Sequence, residues 1–554
     1  MNRNRESNKF LIYSLMLTIT LLSSSGSARA DFVFSAPENL GPIVNSPYEE
    51  GVCDISSDGL ELYFECNRPG TRGDYDIWMT TRDTITASWD PPHNLGAPVN
   101  GPYWDYGPFI TRDGLTLYFS SNRPGGSGGA DIYFATRARI GDPWGQPVNL
   151  GPTVNGFAWD QNPSISADGL SLYFGSNREK IGTAYPGSCY LYVTTRATAN
   201  DPWSAPVRLG SAVNPGLAFD SDYATISEDN LSLYLRVRDL LSETKGLRVA
   251  MRESQLDSWS RSVDLGLRGG SPRFSTDGST MYFCSRAFGG YGDADLFQVP
   301  ILPVVDFNGD GKVDGKEVLI MTESWNQDDP LCDIGPTPMG DDIVDLQDVI
   351  ALTEYIGKEV DDPTLIAHWA LDETEGFVAS DCARENDAFL SGNAIWHPDS
   401  GVVGGAIELD GVDDCVLTQG FMNPADQHFS VLAWIKGGAP GQTIISQSRA
   451  CDWLCLDPID GSLISKLSHT SWNASPLSSG VVITDGQWHR IGLIWDGVTR
   501  ALYVDEQEVA RDGQPQLVSS ENGLIIGSGA MSLAGTYFGG MIDDVRIYNR
   551  VVRP

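Results

Sequence analysis

The stretch ISSDGLELYFECNRPG at residues 55–70 returns four times: ITRDGLTLYFSSNRPGG at 110–126, ISADGLSLYFGSNR at 165–178, ISEDNLSLYLRVR at 226–238 and FSTDGSTMYFCSR at 274–286. Each copy sets a turn between two alternating apolar runs, the pattern of a half-buried β-hairpin. Asp-Gly is the favoured two-residue hairpin turn because both central residues take positive φ, and Asn230 in the fourth copy is the next-best residue for that backbone. The turn aspartates Asp58, Asp113, Asp168, Asp229 and Asp277 are 55, 55, 61 and 48 residues apart. That period accommodates one four-stranded propeller blade per copy.

A third strand follows each hairpin, as in DIWMTTR at 76–82, DIYFATR at 131–137 and YLYVTTR at 190–196. Fourth strands begin near Trp89, Trp144, Trp203 and Trp259, and one more, FSAPENLG, stands at 34–41 ahead of any hairpin. The last three-stranded unit ends near Val299 with no fourth strand after it. The N-terminal strand is therefore expected to complete the final blade and close a five-bladed β-propeller over residues 31–302, which removes exposed sheet edges.

These copies resemble the TolB-like, WD-type (WD40-like) propeller repeat, and the resemblance implies a binding scaffold for proteins or glycans. Acids recur just ahead of each first strand, at Glu50, Asp105, Asp160 and, shifted slightly, Asp222. Two readings stand side by side: an acidic ring in the central channel that binds a ligand, or a structural hydrogen-bond acceptor copied with each blade. The Asn-Arg pairs at Asn67-Arg68, Asn122-Arg123 and Asn177-Arg178 also have two readings, a row lining a ligand face or arginines that tie one blade to the next, the second being the commoner use. The G-x-S-x-G spelling at Gly125–Gly129 lies in a glycine-rich loop, without the strand-to-helix elbow a nucleophilic serine needs.

Past residue 303 the pattern changes. Asp306, Asn308, Asp310, Lys312, Asp314 and Glu317 occupy the ligand positions of a twelve-residue EF-hand loop, with Gly311 at the sharp turn and Val313 pointing inward. Hard oxygens at that spacing suit Ca2+: four side chains, the Lys312 carbonyl and a two-oxygen Glu317. A less regular copy offers Asp333, Asp341, Ile343 (by its carbonyl), Asp345 and Asp348, followed by the apolar helical face of Leu346, Val349, Ile350 and Tyr355. Together the loops at 303–360 form a small α-helical module that resembles dockerin type I, which implies calcium and a cohesin-like partner. The module is internal and its second loop irregular, so a calcium-stiffened spacer is the expected role.

Residues 363–551 alternate apolar and polar in short runs, clearest at FSVLAWIK (429–436), WHRIGLIWDG (488–497) and ALYVDEQEV (501–509). This is the signature of an antiparallel two-sheet sandwich. HWALDETEG at 368–376, AIELDGVDDCV at 406–416, DGQWHRIGLIWDG at 485–497 and GGMIDDVRIYNR at 539–550 resemble the laminin-G-like (LamG), concanavalin A-like jelly roll, with the first and last motifs expected as neighbouring edge strands. The resemblance implies glycan or protein binding, often with one calcium, for which Asp410, Asp413 and Asp543 are the candidates. The fold class is thus mainly β, with one small helical module.

The formal net charge is −36, and four bases and one acid fall in the first thirty residues, leaving about −39 beyond them. Such a surface excludes nucleic acid and anionic membranes as ordinary partners. Arg3, Arg5 and Lys9, the apolar run 10–22 and Ala28-Arg29-Ala30 read as a signal peptide over 1–30. The expected destination is secreted, periplasmic or cell-surface, with no membrane span in the mature chain. Nine cysteines lack a CxxC pair, and Cys382 with Cys415 or Cys451 with Cys455 are candidate disulfides. The function these residues favour is a calcium-binding, multi-module binding or adhesion protein for extracellular polysaccharide or protein, with no catalytic residue assigned. The alternatives are a glycoside hydrolase or lyase with channel carboxylates, or a structural cell-envelope assembly protein.

Overall fold

The computed structural model describes residues 32–554 except 185–186, 242–244, 253, 261, 330, 337–339, 342, 359–361, 426–427, 469–474 and 521; the signal-peptide segment lies outside the described residues. Two compact units divide between Leu302 and Pro303. No helix of the described residues is long and apolar enough to cross a membrane.

The first unit is a five-bladed propeller. Blade 1 runs Glu50–Ile55, Glu61–Cys66, Asp76–Thr81 and His93–Asn94; blades 2 and 3 repeat it from Asp105–Ile110 to Val148–Asn149 and from Asp160–Ile165 to Val207–Arg208. Blade 4 is built on the longer hairpin Ser232–Asp239 and Lys245–Met251. Blade 5 comprises Gly270–Phe274, Thr280–Ser285 and Asp295–Pro303, and its fourth strand is N-terminal: Glu38 pairs with Gln298 and Asn39 with Phe297. The ring closes as the strand count predicts.

The hairpin turn differs from expectation. Gly59 N–H donates to the Ser56 carbonyl at 2.8 Å, and Gly59, not Asp58, takes positive φ (70°). The connection is a four-residue loop on a type I turn with a left-handed glycine, and Asp58 Oδ1 caps it by accepting from Ser56 Oγ (2.6 Å) and Leu60 N–H (3.0 Å). That double role explains why the aspartate recurs in every blade.

Both faces of each blade are buried, so every joint has its own apolar cluster; Tyr63, Ile77, Leu117 and Phe119, for instance, join blades 1 and 2. A polar strut reinforces four joints. Arg82, Arg137, Arg196 and Arg252 lie over Trp89, Trp144, Trp203 and Trp259 at 4.2–4.6 Å. Three of these tryptophans meet the edge of a tyrosine on the preceding blade, Tyr282, Tyr63 and Tyr173. The joint between blades 4 and 5 instead packs Tyr234 on Phe274 at 4.3 Å.

The second unit holds the helical segment and the sandwich. Helices Gly315–Glu323 and Leu346–Thr353 each begin with a complete capping box, Asp314 with Glu317 and Asp345 with Asp348. The sandwich consists of two eight-stranded antiparallel sheets around Trp369, Phe429, Trp453 and Leu493. Its first and last strands pair, Leu365–Trp369 with Gly539–Tyr548, but the last is central, because Phe429–Gly437 occupies its other side. All nine cysteines are free; Cys451 and Cys455 share the extended strand Cys451–Leu456, and Cys382 is exposed while Cys415 is buried.

Candidate functional site

The four acids at the head of the blades are buried and engaged. Glu50 pairs with Arg68 at 2.8 Å, Asp105 with Arg123 at 2.6 Å, Asp160 with Arg178 at 2.5 Å and Asp222 with Arg236 at 2.6 Å. In blades 1–3 the same guanidinium donates to a carbonyl of the preceding blade's linker, Val44, Val99 or Val154. These pairs are the copied framework, and the Asn-Arg arginines tie blade to blade. Their partner asparagines, Asn67, Asn122 and Asn177, accept from the rim N–H groups of Glu49, Trp104 and Trp159.

What faces the channel is the next cross-strand pair along each blade, and it varies. Tyr106 stands opposite Ser120, Gln161 opposite Gly175 and Gly270 opposite Cys284, while Glu65 lies against Gly51 and Arg236 N–H donates to the Tyr223 carbonyl at 3.2 Å. Glu65 folds back over Gly51, where a Cβ would collide with it, and accepts from Gly107 N–H at 2.9 Å. Burial pushes its carboxyl up to about 7, with Glu49 and Asp222 adding to the shift. Tyr106 Oη donates to Gln161 Oε1 at 3.0 Å. At the mouth, Trp104 and Trp159 meet edge to face at 5.8 Å, and Trp159 is 40% exposed. One layer deeper Arg273 of blade 5 pairs with Asp54 of blade 1.

In the second unit the loop at 306–317 is shaped around oxygens. Asp306 accepts from the amides of Gly309 and Gly311 at 2.9 Å, Asn308 Oδ1 from Asp310, and Asp310 Oδ1 from Lys312. Glu317 is fully buried; Oε2 accepts from Asp314 N–H at 2.7 Å, while Oε1 has no partner among the described residues. Burial pushes its carboxyl up to about 7. An orphaned carboxylate oxygen facing further oxygen donors fits a hard cation. The sandwich grips this loop from outside: Arg550 donates to the Asp306 carbonyl, Arg490 to those of Asn308 and Gly309 at 3.2 Å, and Tyr548 Oη to Gly309 at 3.2 Å.

The second loop is satisfied differently. Asp348 stands where Glu317 stands in the first, but its oxygens accept from Ile334, Gly335 and Asp345 amides at 2.6–2.8 Å. Asp333 accepts from Asp341 N–H, Asp345 caps its helix and Ile343 is exposed. Backbone amides fill the positions a cation would take at Asp348.

The sandwich trio is not assembled as expected. Asp410 and Asp413 gather with Asp414 on one turn, their carboxylate oxygens within 4.8 Å of one another. Asp543 lies on the central strand, out of that group. It is buried, accepts from Val402 and Val403 N–H through Oδ2, and leaves Oδ1 without a partner among the described residues. Asp372 reaches the same glycine-rich loop through Gly405 N–H. The register explains the separation: Asp410 opposes Gly539, four residues before Asp543.

Residues 410–554 match the family model of the concanavalin A-like lectin/glucanases superfamily. No curated protein matches the chain. Among solved structures, Trypanosoma rangeli sialidase in complex with 2,3-difluorosialic acid (covalent intermediate) gives a TM-score of 0.47 at 14% identity, over 92% of each chain. Domain 4 of AbnA, a GH43 extracellular arabinanase from Geobacillus stearothermophilus, in complex with arabinotriose, gives 0.26 at 18% identity, over 34% of this chain and 94% of that one. Likenesses this distant say nothing of function.

Sequence reasoning missed the channel residues proper: Glu65, Tyr106, Gln161 and Arg236. They sit where the five copies disagree, and a search for what repeats passes over them.

Proposed function

We propose that the chain is an exported, calcium-binding, multi-module protein that binds extracellular carbohydrate, using the mouth of the propeller channel and the concanavalin A-like sandwich. The observation that carries this reading is the division of labour within the blades. Positions common to the copies are spent on ion pairs that hold the ring, while the positions that differ present one aromatic pair, Trp104 with Trp159, and one polar pair, Tyr106 with Gln161. Flat aromatic faces beside amide and hydroxyl groups suit sugar rings, which offer C–H faces and hydroxyl edges.

Binding is favoured over hydrolysis. Most glycosidases present two carboxylates across a gap of roughly 5–10 Å. Here Glu50, Asp105, Asp160 and Asp222 are each held by an arginine, and Glu65 is left without an equivalent partner acid on the facing pairs. A TolB-like scaffold role is consistent with this.

For calcium, Asp306, Asn308, Asp310, Lys312, Asp314 and Glu317 would hold the ion, which would supply charge to the orphaned Glu317 oxygen. The dockerin-like module then acts as a brace for the sandwich rather than a cohesin dock, because its loop carbonyls are already taken by Arg490, Tyr548 and Arg550. Export rests on the leader pattern of residues 1–30, and release or retention at the cell surface are both compatible with it. The test is a glycan array probed with residues 31–554, with and without calcium, with product release followed in parallel. Binding without cleavage is expected; released sugar would replace this reading with a hydrolase, and no glycan signal would replace it with a protein partner.

A further inference from the structure

The four strut arginines do not end alike. Each donates through Nε to a carbonyl of its own blade's hairpin turn, Gly59, Gly114, Gly169 or Asn230, at 2.7–2.9 Å. They differ at Nη1. Arg137 gives it to Glu61 Oε1 at 3.4 Å, Arg196 to the Ala199 carbonyl at 2.8 Å and Arg252 to the Gln255 carbonyl at 3.1 Å. Arg82 reaches Tyr282 Oη through Nη2 at 3.3 Å, but among the described residues its Nη1 has no acceptor and its guanidinium no carboxylate.

The register shows what is missing. Glu61 opposes Thr81 in blade 1 and Thr280 opposes Pro300 in blade 5, so Thr280 holds the place of Glu61. Arg137 of blade 2 finds a carboxylate on the preceding blade, whereas Arg82 of blade 1 finds a threonine. A cavity of about 920 Å3 opens at that joint, with Arg82, Thr280, Ile43, Ile85, Asp58 and Asp277 in its walls. It lies at the turn end of the strands, away from the channel mouth, because the strand Glu50–Ile55 runs from the mouth toward Asp58.

These walls restrict the ligand. The open N–H of Arg82 needs an acceptor, and in the neighbouring joint that acceptor is a carboxylate. Asp58 and Asp277 are exposed, spend Oδ1 on their own turns and have no ion pair among the described residues. A bare anion would face both of these like charges, while a molecule that also carries an ammonium satisfies all three groups. Ile43 and Ile85 are exposed and add aliphatic surface. The aromatic residues of the cavity, Trp89 and Tyr282, are 8% and 2% exposed, and Arg82 covers Trp89 at 4.2 Å. Neither offers the open flat face that suits a sugar ring.

We propose that the cavity between blades 5 and 1 binds a small zwitterion with an aliphatic side chain, either a free amino acid or a short peptide. Its carboxylate takes Arg82 Nη1 in place of the missing Glu61 equivalent, and its ammonium lies toward Asp58 and Asp277. The volume is in the range of small-molecule pockets. Asn39 and Gln298, from the two chain ends that close the ring, also line it, so a bound ligand braces the closure and stabilises the propeller by mass action. The site is separate from the carbohydrate surface proposed above and does not depend on it.

The experiment is calorimetric titration of residues 31–554 with L-leucine, leucyl-leucine, N-acetyl-leucine and leucinamide, beside a thermal melt with each. Leucine or the dipeptide should bind and raise Tm, and the tighter of the two identifies the source. N-acetyl-leucine and leucinamide each lack one charge and should bind about tenfold more weakly, the worth of one charge-assisted hydrogen bond. Thr280→Glu restores the carboxylate of the neighbouring joint, and should abolish binding while leaving the ligand-free Tm no lower. Ile85→Ser, on an exposed side chain whose loss leaves the fold intact, should weaken leucine binding severalfold through lost apolar contact. Leucinamide binding as tightly as leucine overturns the carboxylate contact with Arg82. N-acetyl-leucine doing so overturns the role of the two aspartates. No binding by any of the four, or binding that survives Thr280→Glu, overturns the site and leaves the carbohydrate reading to its own test.

Discussion

Arg273 of blade 5 pairs with Asp54 of the adjoining blade 1, with Nε 3.1 Å from Oδ1, and both side chains are buried. The same guanidinium lies over Phe109 of blade 2 at 5.4 Å and donates to Thr225 and the Ala224 carbonyl of blade 4. Asp54 in turn accepts from Ile110 N–H at 2.6 Å. One arginine thus links its own blade to three others. Removing one partner of a buried pair strands the other, so Arg273→Met should cost about 3–5 kcal/mol. The double variant Arg273→Met/Asp54→Asn should recover part of that loss. Denaturant melts of the four proteins of the cycle measure both, and equal stability throughout would show that the pair does not hold the ring.

Acid titration should read the channel carboxylates directly. Burial raises Asp54 to about 6 and Glu65 to about 7, both above their usual values. A carboxyl whose folded pKa is raised binds its proton more tightly in the folded state. Its contribution is fully present below the unfolded value and is lost as pH rises through the folded one. Propeller stability should therefore fall between about pH 4 and 7 from these two groups. Glu65→Gln should flatten the upper part of that slope, between roughly 4.5 and 7. Thermal melts across this range, wild type against Glu65→Gln, check it; identical slopes would remove Glu65 as a source.

The struts between blades make a separate prediction. Arg137 lies over Trp144 at 4.6 Å and donates to Glu61 Oε2 at 2.7 Å, which also accepts from Tyr63. Arg137→Ala removes the cation–π contact and leaves Glu61 facing the joint without its cation. A loss of about 2–4 kcal/mol is expected. Arg139→Ala, two residues away on an exposed side chain, should change stability by less than about 0.5 kcal/mol. Urea unfolding of the two variants compares them.

The framework was legible because it repeats. Five Asp-turn hairpins and an orphan strand at Phe34 are enough to count blades and close the ring. At the site the repeat left two readings for Glu50, Asp105 and Asp160, and the arginine each one holds favours the copied structural acceptor. The disagreements among the copies, such as Arg238 and Arg286 in the place of Asn67, show as deviations only once the register aligns them. Asp543 does not join Asp410 and Asp413, because strand pairing, not motif membership, decides what it meets. The turn itself deceived by a single residue: Asp-Gly spells a two-residue hairpin, yet Ser56 Oγ offers Asp58 a bond that only the longer loop can form.

Calcium should stabilise the second unit, and two acids in equivalent positions should answer differently. Glu317 Oε1 is buried without a partner, whereas Asp348 has both oxygens taken by backbone amides. A ligand that binds only the folded state at a hundredfold over its Kd adds about 2.7 kcal/mol, which for a unit of this size is about 5–10 °C in Tm. Because Arg490, Tyr548 and Arg550 of the sandwich hold the carbonyls of the loop, that gain should appear in the melting of the sandwich and not only in the helices. Glu317→Gln should abolish the calcium response while leaving the metal-free Tm no lower, since burial already disfavours that carboxylate. Asp348→Asn should do the reverse, lowering the metal-free Tm through lost amide bonds and keeping the response. Calorimetry of the full chain, with calcium and with chelator, separates the two, and a calcium shift that survives Glu317→Gln would move the ion away from residues 306–317.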